Sequence, residues 1–320
     1  MLDKKVFGLN KKGIGNRLEA FALAFAIHRR YGHTVVLDWP EFDLLRIEGS
    51  ECGTCWFWPR RFGHRLYRVE DFSDELARHR WVILKTMGRT HPLTTPYYLE
   101  AARCLRLHRF AAQKLKDFLA QNAPAGLIGV HLRRGDIAEA SDTVYDLSSG
   151  RYQAVPLWWY ESTMTRLTEA FPGVRFLLCS NADSATLDGL RGRFSIVTTE
   201  GLGLLPPAGN IHGSRTHPAV DLFALACCAI VVGQPFSSYT HWAAGVLRTA
   251  WSHRDHTLLL APNGVSHDRY ACVSPAYEGP TFSQALHWTG LAQQPGQRFE
   301  LPADFSKLAP RIETAWLPEW

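Results

Sequence analysis

The residues best suited to chemistry lie in the sequence GVHLRRGD, where an apolar run ends in charged side chains. The apolar run predicts a buried strand over 127–131, and ligands of α/β proteins bind at the carboxyl ends of such strands. Arg133 presents a planar fork of donors that matches phosphate oxygens, and Arg134 adds a second guanidinium. His131 could contact a ribose or a base, and Asp136 could orient the arginines or act as a general base. A structural Arg–Asp pair that closes a loop is the alternative interpretation.

A glycine-rich turn, GIGNR, precedes the first predicted helix. Gly13 and Gly15 would let the backbone approach a phosphate, and the helix N-terminus would supply free N–H donors and the positive end of its dipole. Asn16 can donate to an anionic oxygen, and Arg17 beside it is a further candidate for binding. The turn is neither a full G-x-G-x-x-G motif nor a P-loop. A tight turn that needs glycine only for its backbone is the alternative.

A third candidate site combines Asp221, in an apolar predicted helix, with Ser237 and Ser238, which follow the next predicted strand. A lone carboxylate on an apolar helix needs a partner, and guanine offers two adjacent N–H groups. The serines precede the next predicted helix, so they could cap it and present hydroxyl and N–H groups to a phosphate. An ordinary N-cap without a ligand is the alternative for the serines.

Strands and helices alternate along the chain around these residues. Predicted strands cover 5–9, 35–37, 81–84, 127–131, 174–179, 195–198, 229–232 and 257–260, and predicted helices cover 18–31, 105–120, 156–171, 184–190, 218–228 and 239–251. The assignments rest on apolar periodicity, β-branched runs and turn residues such as Gly32, a predicted C-cap. The alternation predicts an α/β fold with two Rossmann-like lobes, GT-B-like, whose mostly parallel sheets carry helices on both faces.

The loop at 122–126 is the predicted boundary between the two lobes. The N-terminal lobe, 1–125, contains the glycine-rich turn, and the C-terminal lobe, 126–320, contains the other two candidate sites and an irregular tail. The segment 41–80 is rich in aromatic residues and arginines and is predicted to form an irregular excursion. The tryptophans at 56, 58, 158 and 159 could stack on sugars, although core packing is their more ordinary interpretation.

Composition argues against several other classes of protein. The 320 residues are 46% hydrophobic and 20% charged, which allows a sizeable core and argues against global disorder. A net charge of +5 without a long Lys/Arg run suits a small anionic ligand better than nucleic acid. Neither a signal core nor an uncharged apolar run of about 18 residues is found, so a cytoplasmic location is expected. Seven irregularly spaced cysteines favour free thiols, and Cys52 and Cys55 have no second C-x-x-C to complete a zinc site.

The three candidate sites, taken in order, resemble the fucosyltransferase superfamily, which includes the α-1,6-fucosyltransferases, the rhizobial nodulation fucosyltransferases and the protein O-fucosyltransferases. The resemblance rests on the H-x-R strand end at His131, on the block from Asp221 to Ser237-Ser238, and on the glycine-rich turn. In these families the turn is followed by a helix and a strand that ends near Trp-Pro, here Trp39-Pro40. The resemblance covers most of 5–255.

The resemblance implies inverting transfer of L-fucose from GDP-fucose to a hydroxyl of a saccharide or glycoconjugate, without a metal or other cofactor. It implies that the C-terminal lobe binds the nucleotide sugar and that the N-terminal lobe faces the acceptor. Arg133 would contact the β-phosphate and stabilise the departing GDP. His131 and Asp221 would contact the guanosine, Ser237 or Ser238 would touch a phosphate, and Asn16 would lie near the diphosphate.

The identity of the catalytic base is left open, because these families differ in it. Asp136 is the first candidate, and Glu139 and Asp142 come next. A transferase for another nucleotide sugar is one alternative function, which the carboxylate of Asp221 disfavours because it suits guanine better than uracil. A non-catalytic protein of the same fold that only binds a GDP-sugar is the other alternative.

Overall fold

The computed structural model describes residues 3–8, 12–86, 94–134, 145–146, 154–208, 214–234, 237–251, 258–261, 264–266, 292–293 and 309–320. The strands are β1 (Lys5–Phe7), β2 (Thr34–Leu37), β3 (Leu45–Ile47), β4 (Ser50–Cys52), β5 (His64–Leu66), β6 (Trp81–Leu84), β7 (Leu105–Leu107), β8 (Leu127–Leu132), β9 (Tyr145–Asp146), β10 (Arg175–Ser180), β11 (Ile196–Val197), β12 (Ile230–Val232), β13 (Leu258–Ala261), β14 (Gly264–Ser266) and β15 (Ala292–Gln293). The helices are α1 (Ile14–Tyr31), α2 (Phe57–Phe62), α3 (Tyr98–Ala102), α4 (Arg109–Asn122), α5 (Leu157–Ala170), α6 (Ser184–Arg193), α7 (Pro218–Ala226), α8 (Ser238–His241) and α9 (Arg248–Trp251).

The first sheet belongs to the N-terminal half and has the strand order β4-β2-β1-β6-β5, with every pair parallel. Helix α1 forms the crossover from β1 to β2, and its apolar side is buried in the core. Gly32 ends α1 in the left-handed conformation, with φ of 72°, and its N–H donates to the carbonyl of His28. This confirms the predicted C-cap.

The second sheet has the order β11-β10-β8-β12-β13-β14, and only β14 runs antiparallel to its neighbour. Residues of β8 and β12 alternate between two cores: Val130 packs with Trp159 of α5, whereas Val231 packs with the core that contains Leu225 of α7. The sheet is therefore covered on both faces. Together the two sheets confirm the predicted α/β fold with two Rossmann-like lobes and mostly parallel strands.

One continuous helix, 238–251, connects the lobes. It consists of α8, a π-helical turn over Trp242–Leu247 and α9. Trp242 donates from Nε1 to the buried carboxylate of Glu19 on α1 at 3.0 Å, and Tyr98 of α3 donates to the same carboxylate. Trp251 donates to the carbonyl of Ala102 at 3.2 Å. A helix of the second lobe is thus hydrogen-bonded to two helices of the first, and the core extends across the interface.

The segment 309–320 also binds both lobes. Leu127, at the start of β8, donates its N–H to the carbonyl of Pro310 at 2.9 Å. Leu107 of β7 exchanges backbone hydrogen bonds with Pro318 and Trp320 at 2.9 and 3.1 Å. The buried guanidinium of Arg248 lies 3.2 Å from the carboxylate of Glu313. This part of the predicted irregular tail therefore joins the lobes with few secondary-structure elements of its own.

Three sequence-based predictions of secondary structure are wrong. Helix α1 begins at Ile14 and not at residue 18, so Gly15, Asn16 and Arg17 lie in its first turn. The segment 41–80 is not an irregular excursion, because β4 and β5 within it extend the first sheet on both sides. Each of these strands has three residues, and of the six only Leu66 is buried, so neither strand carries a clear apolar alternation. The predicted helix over 105–120 begins instead with β7, which pairs antiparallel with β3, and α4 follows from Arg109. In the part of the chain that the structure describes, no helix is long and apolar enough to cross a bilayer.

We expect Glu313→Ala to lower the free energy of unfolding by about 2–4 kcal/mol, because it removes the carboxylate that pairs with a buried guanidinium. Glu319→Ala is the matched control in the same segment, since its pair with Lys116 is partly exposed. The control should lose less than about 1 kcal/mol. Urea unfolding of both variants measures the difference, and equal losses would contradict the assignment of Arg248 and Glu313 as a buried pair.

Candidate functional site

The N-terminus of α1 lies against the N-terminus of helix 238–251 with no room between their backbones. Gly13 is the N-cap of α1 and holds an extended conformation. A Cβ added to Gly15 would lie 2.6 Å from the backbone nitrogen of Tyr239 and 2.8 Å from Oγ of Ser238. Such distances are shorter than side-chain atoms tolerate. The second glycine of the predicted turn is therefore required by the contact between the lobes.

The serines of the third predicted site take part in the same contact. Ser237 is buried and is the N-cap of helix 238–251, with its hydroxyl accepting from the N–H of Thr240 at 3.5 Å. Ser238 donates from Oγ to Oδ1 of Asn16 at 2.8 Å, across a separation of 222 residues. With Oδ1 so engaged, the amide nitrogen of Asn16 is the part of the side chain that can donate to an anion. Two helix N-termini, each with free N–H groups and a positive dipole end, converge here.

The carboxyl end of β8 lies beside these helix N-termini. His131 is buried, its Nδ1 lies 2.7 Å from Oγ1 of Thr240, and its ring lies 4.8 Å from the ring of Tyr239. Arg133 follows the strand and is half-buried. Arg134, also half-buried, donates its backbone N–H to Oδ1 of Asn181 at 2.9 Å. From β8 the chain continues to β10 and β11 on one side of the sheet, and it returns to β12 and β13 on the other side. The carboxyl end of β8 is therefore a topological switch point, where α/β sheets bind ligands.

The three predicted sites thus meet at one place in the fold, through Gly15, Asn16, His131, Ser237 and Ser238. Asp136, Glu139 and Asp142, the candidates for a general base, lie outside the described residues. In the ranges that the structure describes, no three His, Cys, Asp or Glu side chains gather into a group that could hold a metal ion.

Asp221 has partners within the protein that the sequence analysis did not find. Its carboxylate is buried and accepts hydrogen bonds from the hydroxyls of Thr199 and Thr216. Burial raises the pKa of Asp221 to about 6, although the two hydroxyl donors act to lower it. The hydrogen-bond donors that the sequence led us to expect from a purine base are therefore supplied by two threonines. The carboxylate fixes the start of the loop after β11 and the residue two positions before α7.

Arg17, a candidate for binding, is also engaged within the protein. Its guanidinium is buried, forms an ion pair with Glu41 and lies 5.5 Å from the ring centre of Trp39. Burial lowers the pKa of Arg17, while the charge of Glu41 acts in the opposite direction. The residue ties α1 to the turn after β2. Its environment indicates a structural role in positioning the glycine-rich turn.

His217 belongs to the surroundings of the site, and the sequence alone predicts for it only an ordinary hydrogen-bonded loop histidine. It is fully buried, and its Nδ1 accepts the N–H of Ala219 at 3.3 Å, which makes it the N-cap of α7. This leaves the Nε2–H to donate to Oδ1 of Asp43 at 2.9 Å, so the bond joins the turn after β2 to the second lobe. The signal was present in the sequence, since His217 precedes Pro218 and proline favours the first helical position.

Comparison with known proteins finds likeness in structure. No protein-family model and no curated protein sequence matches the chain. The crystal structure of the fucosyltransferase NodZ from Bradyrhizobium matches with a TM-score of 0.52 and 15% identity, over 83% of this chain and 99% of that one. NodZ α-1,6-fucosyltransferase soaked with GDP-fucose matches with a TM-score of 0.52 and 17% identity, over 83% and 99% of the two chains. A mutant of Arabidopsis thaliana FUT1 in complex with GDP matches with a TM-score of 0.52 and 12% identity, over 87% of this chain and 76% of that one.

These matches establish a fold shared with fucosyltransferases of known structure. They agree with the two-lobed, GT-B-like architecture predicted from the alternation of strands and helices. They cover most of both chains, so the likeness is not confined to one half of the fold.

We expect Gly15→Ala to destabilise the protein by about 1–3 kcal/mol, because the new methyl group would push two helix N-termini apart. Gly189→Ala is the matched control, since an added Cβ in the middle of α6 meets nothing within 4 Å. The control should gain about 0.5–1 kcal/mol from lower backbone entropy in the unfolded chain. Chemical denaturation measures both, and a neutral effect at Gly15 would contradict the backbone contact.

We expect the stability of the wild type to fall relative to Asp221→Asn as the pH rises from 3.8 to about 6. The folded state holds the proton of Asp221 up to about pH 6, whereas the unfolded chain releases it near 3.8, so deprotonation costs free energy only in the folded state. The loss should reach up to about 3 kcal/mol. Unfolding free energies measured across this range test it, with Asp188→Asn on the surface of α6 as the control. Parallel profiles for wild type and Asp221→Asn would contradict it.

Proposed function

We propose that the chain is a glycosyltransferase that moves L-fucose from GDP-fucose to a hydroxyl of a saccharide or glycoconjugate, with inversion at the anomeric carbon. The observation that carries the proposal is the convergence of two helix N-termini with the carboxyl end of β8, next to Arg133. Such a concentration of N–H donors and positive charge suits a diphosphate. The fold shared with structures bound to GDP or GDP-fucose supports the same donor.

The diphosphate would bind beside the contact between the N-termini of α1 and helix 238–251, facing the carboxyl end of β8. The backbone N–H groups near Gly15, the amide of Asn16 and the N–H groups after Ser237 would donate to its oxygens. The hydroxyl of Ser238 donates to Asn16, so Ser238 would support diphosphate binding by fixing the orientation of that amide. Ser238 would also lie close to the diphosphate itself. The two dipoles and Arg133 would together balance the negative charge of the pyrophosphate.

Arg133 would act on the departing GDP. Cleavage of the sugar–phosphate bond builds negative charge on the β-phosphate, and a preorganised donor there typically accelerates transfer by about 10²–10³-fold. The same groups supply the positive charge that a metal ion supplies in other transferases, so no metal is required. His131, whose Nδ1 is bonded to Thr240, would face the guanosine with its ring held in one orientation.

Asp221 would contribute to guanosine binding through Thr199 and Thr216. Its buried carboxylate accepts from both hydroxyls and so holds together the two segments that carry them. In the proposal these segments border the guanosine. Asp136 remains the first candidate for the base that accepts the proton of the acceptor hydroxyl, followed by Glu139 and Asp142. A base of this kind typically contributes about 10²–10⁴-fold. The enzyme would act in the cytoplasm.

Calorimetric titration with GDP, UDP and GDP-fucose, without added metal, tests the donor. We expect micromolar affinity for GDP (Kd about 1–100 μM) and much weaker binding of UDP. Arg133→Ala should weaken GDP binding by about tenfold or more, because a charge-assisted hydrogen bond to phosphate is lost. Arg191→Ala is the control, since that side chain forms ion pairs with Asp188 and Glu200 on the surface.

Tight UDP binding, or GDP binding indifferent to Arg133, would overturn the proposed donor. GDP-fucose that binds but is not turned over with any hydroxyl acceptor, and is not hydrolysed, would instead indicate a GDP-sugar-binding protein without catalysis. In an active enzyme, Arg133→Ala should lower kcat by about 10²-fold or more.

A further inference from the structure

A group of exposed aromatic rings lies on α2, on the outer side of the first sheet. Phe57, Trp58 and Phe62 are 66%, 55% and 64% exposed, and Trp56 and Tyr67 are 42% and 61% exposed. The core packing favoured by the sequence is therefore wrong for Trp56 and Trp58, whereas Trp159 is buried as expected. Soluble proteins rarely expose large aromatic rings as a contiguous group without an interaction to explain them.

Helix α2 is held to the sheet by its opposite side. Pro59 is buried, and a Cβ added to Gly63 would lie 2.5 Å from the carbonyl of Pro59 and 3.1 Å from the side chain of Ile83. Trp56 covers Phe7 of β1 edge to face, at 5.3 Å between ring centres. These inner contacts fix α2, so its exposed rings are not needed to hold it in place.

Among the ring contacts of the described residues, Phe57, Trp58 and Phe62 pack only with one another. Trp58 stacks on Phe62 at 5.7 Å and meets Phe57 edge to face at 5.3 Å. The three rings form one apolar ridge that projects from the molecule, since each is more than half exposed. A ridge of this kind can insert into the apolar part of a lipid interface, whereas a cleft cannot.

The segment that carries this ridge is basic, and the exposed acidic residues Glu70 and Asp71 follow it directly. From 53 to 69 the sequence contains four arginines and no Asp, Glu, Asn or Gln. Arg60, Arg61, Arg65 and Arg68 are all exposed, and none of them takes part in an ion pair among the described residues. Arg65 donates to the carbonyl of Arg60 at 3.0 Å, which keeps the arginines on one short stretch of surface. Glu51, just before the segment, is neutralised by Lys5 at 2.6 Å.

We propose that the surface formed by the exposed residues of 56–68 docks on a bilayer that contains anionic phospholipids. Aromatic rings seated at the headgroup boundary, flanked by guanidinium groups that meet lipid phosphates, are the composition of an interfacial segment. A saccharide is a weaker candidate for this surface, because the segment has no carboxylate or carboxamide side chain to bind sugar hydroxyls. Docking would bring the enzyme to acceptors carried on the membrane while its chain remains outside the bilayer.

Co-sedimentation with vesicles tests the proposal on the full chain. We expect binding to vesicles of phosphatidylcholine with about a third phosphatidylglycerol, and little binding to phosphatidylcholine alone. The double variant Trp58→Ala/Phe62→Ala should lower the partition coefficient about tenfold or more, because two rings leave the interface. Arg60→Glu/Arg61→Glu should abolish binding, and added salt should weaken it in the wild type.

The matched control is Arg109→Glu/Phe110→Ala, which removes an exposed arginine and an aromatic ring from α4, a helix that packs against α7. It should bind as the wild type does. The substituted side chains are exposed in every variant, so circular dichroism and unfolding midpoints should match the wild type. Failure of the wild type to bind anionic vesicles, or equal binding by all variants, would overturn the proposal. So would a loss of affinity for a soluble saccharide in the aromatic variant without any vesicle binding.

Discussion

Two helices of different lobes start at the same point, and the space between them admits a glycine but no larger residue. The contact between Gly15 and the backbone of Ser238 and Tyr239 sets the distance between the two lobes near the carboxyl end of β8. It also brings two positive dipole ends together, an arrangement that negative charge beside them would stabilise. The protein opposes this repulsion with the bond from Ser238 to Asn16 and with the core behind it. A bound anion would oppose the repulsion further, which is consistent with the proposed phosphate site at the lobe interface.

Buried polar pairs keep this contact in register. Glu19 accepts from two helices, Arg17 pairs with Glu41, and His217 donates to Asp43 from the second lobe to the first. Such pairs contribute little net stability compared with apolar packing of the same volume, but they have only one good geometry. Apolar residues could slide past each other by a fraction of an ångström, which a diphosphate held by backbone N–H groups would not tolerate. The stability lost by using polar pairs in place of apolar packing is compatible with a site whose donor groups must keep fixed positions.

The sequence was sufficient for the features with local signals. The strands β1, β6, β8 and β10, the helix α1 with its cap at Gly32, and the order of the three sites follow from periodicity and turn residues. It was insufficient wherever the deciding partner is distant or the element is short. Thr199 lies 22 residues before Asp221, and nothing in either neighbourhood marks the pair. Likewise, β4 and β5 are strands only because a sheet edge is available to them.

The bonds that close the interface join very distant parts of the chain. Trp242 and Glu19 are 223 residues apart, and Lys116 and Glu319 are 203 residues apart. Loop closure over such separations is entropically costly, so we expect these contacts to form late in folding, after each sheet has assembled its own strands. The glycine turn and the serine cap therefore acquire their geometry only at the last step. Under the proposed function, a partly folded chain with both sheets intact would hold nucleotide poorly, so nucleotide binding would report on completed assembly of the lobes as well as on the integrity of either one.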